Sequence, residues 1–185
     1  MKITGGRARG KILASLKGMD IRPTSSKVRE AIFNILGQDM TGNKVLDLFA
    51  GTGILGIEAL SRGAESAIFI DKSNKSTAII NHNLTSCGYQ DVSRVLKRDI
   101  IGGLTFESLA GKSGVDLVFI DPPYGKDIAP TVIKKLSSCG ILTEQAFVLV
   151  ESSKNDQLPE SAGTLLLSDT RIYGDTKIVI YKSES

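Results

Sequence analysis

Asp121, Pro122, Pro123 and Tyr124 follow directly on the apolar run Val115 to Ile120, where a buried strand should end. An acid there stands at the carboxyl end of a strand, the edge at which open α/β sheets bind ligands. Two prolines in a row have no N–H to give and fix φ, so the loop is stiff and its carbonyls are left as acceptors. Tyr124 adds a flat ring beside them. A carboxylate, the Pro122 carbonyl and a stacking ring suit a planar group bearing an NH2, such as a nucleobase amine. The bland alternative is a stiff turn in which Asp121 caps the next helix, a position that Asp favours.

A second constellation lies upstream, in Asp47-Leu48-Phe49-Ala50-Gly51-Thr52-Gly53. Glycines at 51 and 53 let the backbone turn tightly and approach a ligand where a Cβ would obstruct it. Gly51-x-Gly53-x-x-Gly56 matches the dinucleotide fingerprint, with Asp71 at the end of the next strand, so an NAD-binding enzyme is an alternative. Asp71 would hold ribose hydroxyls in either case. Asp47 argues against NAD, because it brings a negative charge to the place where a dinucleotide's pyrophosphate meets the helix N-terminus. S-adenosylmethionine carries no phosphate, and its cationic amino-acid head and sulfonium suit a carboxylate. Asp99, after the third strand, is placed to accept from an adenine amine with Ile100 as apolar cover, or else to cap the turn before Gly102-Gly103. Asp47, Asp71, Asp99 and Asp121 thus close four strands. Such a series would be destabilised by mutual repulsion unless a ligand or a cation used it.

The elements that must position these residues follow from periodicity. Met1 to Ile21 alternates short apolar pairs with glycines and reads as a β-type arm, joined through Arg22-Pro23-Thr24. Ser25 or Ser26 can cap a helix with Val28, Ala31, Ile32, Ile35 and Leu36 inward and Lys27, Arg29, Glu30 and Asn34 on the opposite face, stopping at Gly37. From Lys44 the chain alternates strands and helices in a βαβ rhythm. Strands are expected at 45–49, 67–70, 92–96, 115–120 and 146–151, and helices at 54–61, 74–86, 104–109 and 129–138. Runs 164–167 and 177–181, joined through Tyr173-Gly174-Asp175, read as an antiparallel hairpin closing a mostly parallel seven-stranded sheet.

The chain has 185 residues, 41% of them hydrophobic, enough for one domain with a proper core. Residues 1–30 hold eight Lys or Arg against two acids, whereas the remainder carries fifteen basic and eighteen acidic side chains. A basic head on a mildly acidic body points to a polyanion as partner of the head, unless the arm is simply solvated. No apolar run reaches membrane-spanning length, and the head lacks the pattern of a signal peptide. Cys87 and Cys139 make no disulfide framework and have no metal-ligand spacing, so a reducing cytoplasm and no metal are expected. Glu58, His82 and Glu151 receive no assigned role.

With these motifs in place the chain resembles a known family. Asp-Leu-Phe-Ala-Gly-Thr-Gly followed by Asp-Pro-Pro-Tyr is similar to the signature of class I S-adenosylmethionine-dependent methyltransferases that act on exocyclic amines. Gly5-Gly6-Arg7-Ala8-Arg9-Gly10-Lys11, the run Arg22 to Asn34, and Gly56 to Ala64 resemble the bacterial 16S rRNA guanine-N2 methyltransferases, over about Lys2 to Glu151. The resemblance implies a Rossmann-like class I fold, with an arm at 1–21 and a methyltransferase domain at 22–185. Asp47, Phe49, Ala50, Gly51, Gly53, Asp71, Asp99 and Ile100 would then bind S-adenosylmethionine. Asp121, Pro122 and Tyr124 would hold the target guanine, while Arg7, Arg9, Lys11, Arg22 and Arg29 would grip rRNA beside the pocket. The implied partner is small-subunit rRNA or the assembling subunit, met by a monomer. Two departures are visible: Asp71 stands where the family often has Glu, and Tyr124 where it often has Phe. Methylation of a DNA base or a protein amide by the same site remains a competing reading.

Overall fold

Strand β1 (Lys44–Leu48) is buried along nearly its whole length and lies between β2 (Ser66–Asp71) and β4 (Val115–Ile120), parallel to both. A strand with no polar face belongs inside a sheet covered on both sides. The computed structural model describes residues 1–15, 25–102, 106, 109, 114–123 and 128–184. Its sheet has eight strands in the order β3-β2-β1-β4-β5-β8-β7-β6. β3 (Ser93–Lys97) and β5 (Leu142–Ser153) complete a parallel set of five. β8 (Thr176–Ser183) and β7 (Leu165–Tyr173) form the expected antiparallel hairpin, with Gly174 in its turn at φ 64°. The strand beyond the expected seven is β6 (Ser161–Ala162), whose two residues are too few to leave a period in the sequence. β5 starts four residues earlier than expected, across an irregular register at which Gln145 has φ 68°.

Two apolar clusters form, one on each face of the sheet. On one face α1 (Ser26–Leu36), α2 (Ile54–Ser61) and α3 (Asn74–Cys87) pack on Val45, Phe69, Phe119 and Leu149. On the other, α4 (Ile128–Ser138), Phe106 and Leu109 pack on Leu46, Leu48, Val118 and Val150. The helix expected at 104–109 lies outside the described residues apart from those two buried side chains. Caps set the ends: Ser25 Oγ accepts from Val28 N at 3.2 Å, Ser73 Oγ accepts from Lys75 N and Ser76 N, and Gly88 ends α3 in the left-handed region.

Helix α1 is rotated from its expected orientation. Phe33 is fully buried, edge-on to Phe119 with ring centroids 6.0 Å apart, whereas Ile35 is exposed. Arg29 turns inward with Phe33, four residues on, and is only 1% exposed. Periodicity alone marks an apolar stripe but not the partner that selects its centre. Here the partner includes the N-terminal arm.

That arm is a packed element. A single antiparallel bridge joins Lys2 to Ile12, and Ile3 and Leu13 are buried in the first cluster. Its turn is tied to the end of α2: Arg7 N and Ala8 N donate to Ser61, and Ser61 Oγ donates to Gly5 O. Gly6, at φ 72°, leaves no room for a side chain, since a Cβ would lie 1.7 Å from Ser61 O. Beneath the turn, Glu58 is fully buried and accepts from Thr4 N, Thr4 Oγ1, Gly5 N and the Arg62 guanidinium. Arg62 also donates to Gln38 and stacks 4.5 Å from the Phe33 ring centroid, which joins α1 to the same hub. Removing one partner of a buried ion pair strands the other. Glu58→Ala is therefore expected to lower unfolding stability by about 3–5 kcal/mol in urea titrations, and a loss below about 1 kcal/mol would show that the hub is dispensable.

Candidate active-site cleft

Sheet order reverses between β1 and β4: the chain leaves β1 toward β2 and β3 on one side, and β4 and β5 lie on the other. Open α/β sheets bind ligands in the crevice outside the carboxyl ends of the strands at such a point. Asp47 lies on β1 one residue before the end of that strand, Asp71 closes β2, and Asp121 follows β4 directly. The fold thus brings these acids to one edge, and Asp99 follows β3 at the same edge, two residues beyond Lys97, which pairs with Asp71.

The loop after β1 is built for close approach. Phe49, Gly51 and Gly53 all have positive φ, at 58°, 57° and 77°. Ala50 N donates to Ile70 O, and Gly53 N donates to Ala50 O at 2.7 Å, which curls the loop over the end of β2. Asp71 braces it: one carboxylate oxygen accepts from Gly51 N at 3.0 Å and the other from Ser73 N at 2.8 Å. Gly56 permits α2 to press on the sheet, because a Cβ there would lie 2.4 Å from the Phe69 ring.

Asp47 is 2% exposed, and its Oδ2 accepts from Gly56 N at 3.0 Å. Gly53, the residue preceding α2, makes no side-chain cap, so Asp47 supplies from the sheet the acceptor that the helix start needs. Burial pushes its carboxyl up to about 8; the Gly56 amide opposes this, and the neighbouring Asp71 adds to it. A pyrophosphate at this helix start would crowd an acid already seated there. That physical objection stands against the dinucleotide alternative, whereas a cation would relieve the crowding.

Asp121 is half-buried, with Glu151 behind it. β4 and β5 run in register through Ile120 and Val150, so these two acids are next to one another across the strand pair. Desolvation, then the charge of Glu151 and then that of Asp47, hold the Asp121 carboxyl well above the ordinary range. Although its surface is partly open, the pocket around it is protein on most sides, which is why desolvation dominates. Pro122 is buried and Pro123 exposed, while Tyr124 lies outside the described residues.

The other expected site residues differ in exposure and partners. Asp99 is exposed and closes a turn, its Oδ1 accepting from Ile101 N at 3.0 Å and Gly102 N at 3.3 Å. Those amides, with Lys72 and Lys135 nearby, hold its carboxyl below the usual range. Ile100 is buried in the second apolar cluster. Arg7, Arg9 and Lys11 are exposed on the arm's turn, which is fixed to the far end of α2. Arg29 is not a surface cation: it donates to Lys2 O at 2.7 Å and to Ser26 Oγ, and burial lowers its pKa. Arg22 lies outside the described residues. Sequence reasoning left out the supports, namely Glu58 with Arg62, and Asn83, which is buried and bonds both Ala14 and Thr52 O of the loop. The i,i+4 spacing of Glu58 and Arg62 was the available signal for the first pair.

Five parallel strands about a switch point, extended by an antiparallel hairpin whose last strand lies beside β5, define the class I S-adenosylmethionine-dependent methyltransferase fold. A solved Escherichia coli structure described as a candidate methyltransferase superposes with a TM-score of 0.83 at 31% identity, covering 100% of this chain and 98% of that one. Residues 1–182 match the model of the family described as Conserved hypothetical protein 95, and the chain belongs to that family. YlbH of Bacillus subtilis, named as a candidate rRNA methyltransferase, is 35% identical over 98% of each chain. Ribosomal RNA small subunit methyltransferase D of Escherichia coli is 30% identical over 100% of this chain and 91% of its own.

Asp47 gives the ligand-free protein a distinctive pH dependence. Its folded pKa of about 8 lies above the ordinary 3.8, so between these values the native state holds the extra proton and stability falls as pH rises. At ~1.4 kcal/mol per unit the loss is at most about 6 kcal/mol across the window from about pH 4 to about pH 8. Asp47→Asn is expected to flatten that decline in denaturant titrations run at several pH values, and an unchanged slope would refute the assignment.

Proposed function

We propose that this protein methylates the exocyclic N2 amine of a guanine in 16S rRNA of the small ribosomal subunit, with S-adenosylmethionine as methyl donor. The observation that carries the reading is the position of Asp121-Pro122 at the end of β4, beside the acid-lined loop of β1. The names of the full-length relatives favour rRNA as the substrate.

The donor set fits the cofactor. Asp47 and Asp121 both have carboxyls pushed upward by burial and by neighbouring acids, so a cationic head and sulfonium would stabilise their ionised forms. Asp47, Phe49, Ala50, Gly51 and Gly53 would line the amino-acid end, Asp71 would take the ribose, and Asp99 with Ile100 would meet the adenine. When bound, S-adenosylmethionine supplies an electrophilic methyl group; the remaining work belongs to the chain.

The guanine amine is a weak nucleophile because its lone pair is delocalised into the ring. Asp121 and the Pro122 carbonyl each accept one N–H, drawing the nitrogen toward tetrahedral geometry and turning its lone pair to the methyl group. Tyr124 stacks on the base, which must be unpaired or flipped to enter. Holding both reactants in line accounts for up to roughly 7–11 kcal/mol of acceleration in favourable cases. The methylated nitrogen is cationic and acidic, so Asp121 can take its proton afterwards. Arg7, Arg9, Lys11 and Arg22 supply salt-dependent hold on rRNA phosphates. The setting is the cytoplasm, and a monomer docks on the particle.

The test is transfer of labelled methyl to small subunits from a strain lacking the corresponding methyltransferase. Label should appear as N2-methylguanine in 16S rRNA, and Asp121→Ala should lower kcat at least about a hundredfold. Cofactor binding without labelled rRNA would reject the substrate and direct the search to DNA bases and protein amides.

A further inference from the structure

The turn of the arm takes part in a second feature, beside the last turn of α3. Helix α3 begins at Asn74, next to the strand end that carries Asp71, and runs to Cys87. Asn83, which bonds Thr52 O of the cofactor loop, lies one turn before Cys87, so the last turn of α3 stands about 6 Å along the helix from that contact. There Arg7, Ala8, Arg9 and Lys11 of the arm face Cys87 and Tyr89 across an open groove of about 490 Å³.

The chemistry of this groove is specific. Lys11 Nζ donates to Ser86 O, satisfying a carbonyl at the negative end of α3 that would otherwise repel an anion. Arg7 and Arg9 are exposed, and among the described residues neither has an ion-pair partner. Guanidinium groups match phosphate geometry with paired donors. Tyr89 is half-buried, packed by one part against the first apolar cluster, and so forms a fixed wall of the groove. Two phosphate-binding cations beside an immobilised ring are the elements of a single-stranded nucleic-acid site. An acidic peptide would use the arginines but would have no use for the ring. The arm's turn is held in place, because Ser61 and Glu58 accept five backbone hydrogen bonds from Thr4, Gly5, Arg7 and Ala8.

We propose that the groove of Arg7, Arg9 and Tyr89 holds a second, single-stranded segment of the substrate RNA, with a base stacked on Tyr89, apart from the pocket that takes the target guanine. The proposal rests on the rRNA methyltransferase reading and adds a fixed spacing to it. The enzyme would measure the distance between two unpaired segments, so RNA that presents only the target loop would engage one point of two.

The test pairs direct binding with turnover for the wild type, Tyr89→Phe, Tyr89→Leu and the double variant Arg7→Ala/Arg9→Ala. Binding is read by fluorescence anisotropy with a labelled single-stranded RNA of mixed sequence, turnover by methyl transfer to small subunits. Tyr89→Leu keeps the apolar bulk and loses the ring; it should weaken RNA binding roughly tenfold and raise KM by a similar factor, with kcat and cofactor affinity unchanged. Tyr89→Phe should match the wild type. The arginine pair should lower affinity and reduce the salt slope by about two. Wild-type affinity and KM in both Tyr89→Leu and the double variant would overturn the proposal. Raised KM on subunits with unaltered RNA affinity would also overturn it, and would assign the groove to an acidic protein segment. RNA binding that depends on Tyr89 without any methyl transfer to rRNA would instead sink the proposed function and leave the groove standing.

Discussion

The constraint that organises the molecule is a carboxylate that the fold keeps out of water. Asp47 points from the central strand at the start of α2 and holds the Gly56 amide, so strand, loop and helix are joined at one buried acid. Desolvation outweighs that single hydrogen bond, which is why its carboxyl is pushed up instead of down. Asp71 and Asp121 crowd the same edge, and Glu151 stands behind Asp121. A fold that selected only for stability would not collect acids in this way. Their concentration at a switch point is the electrostatic counterpart of a cationic ligand.

The scaffold that carries this edge is anchored from the opposite end. Glu58 and Arg62 form a buried pair that would be a poor source of stability if it were isolated, since burial of both charges offsets much of their attraction. The pair gains value from its additional donors, Thr4 and Gly5 of the arm and Gln38 beyond α1. It fixes where the arm lies, and with it where Arg7 and Arg9 stand relative to the cleft. Asn83 makes the complementary link, bonding the arm at Ala14 and the cofactor loop at Thr52. The basic head and the catalytic edge are thereby one rigid frame.

Much of this was legible from residue order. Glycines at 51, 53 and 56 announced the loop, and each serves the turn or close approach that its type implies. The βαβ rhythm determined the parallel core, and strand-end acids marked the edge, because alternation of apolar runs and turns is a local property that the chain displays directly. Helix boundaries in α2, α3 and α4 came within a residue or so for the same reason. The short β6 and the early start of β5 left no such trace, since edge pairing and bulges depend on the neighbouring strand.

What only three dimensions decided is which polar residues face inward and which sites are near one another. From sequence Arg29 is expected to grip RNA and Glu58 has no assigned role, yet both are buried because the arm lies over α1 and α2 and supplies their partners. Asp99 satisfies its own turn, while Asp71 braces the glycine loop from the adjacent strand. Docking at Ser61, with Lys11 on Ser86 O, sets the cations of the arm against Cys87 and Tyr89 at the last turn of α3. Spacing along a chain sets what each segment can become, and packing between segments sets what each side chain meets.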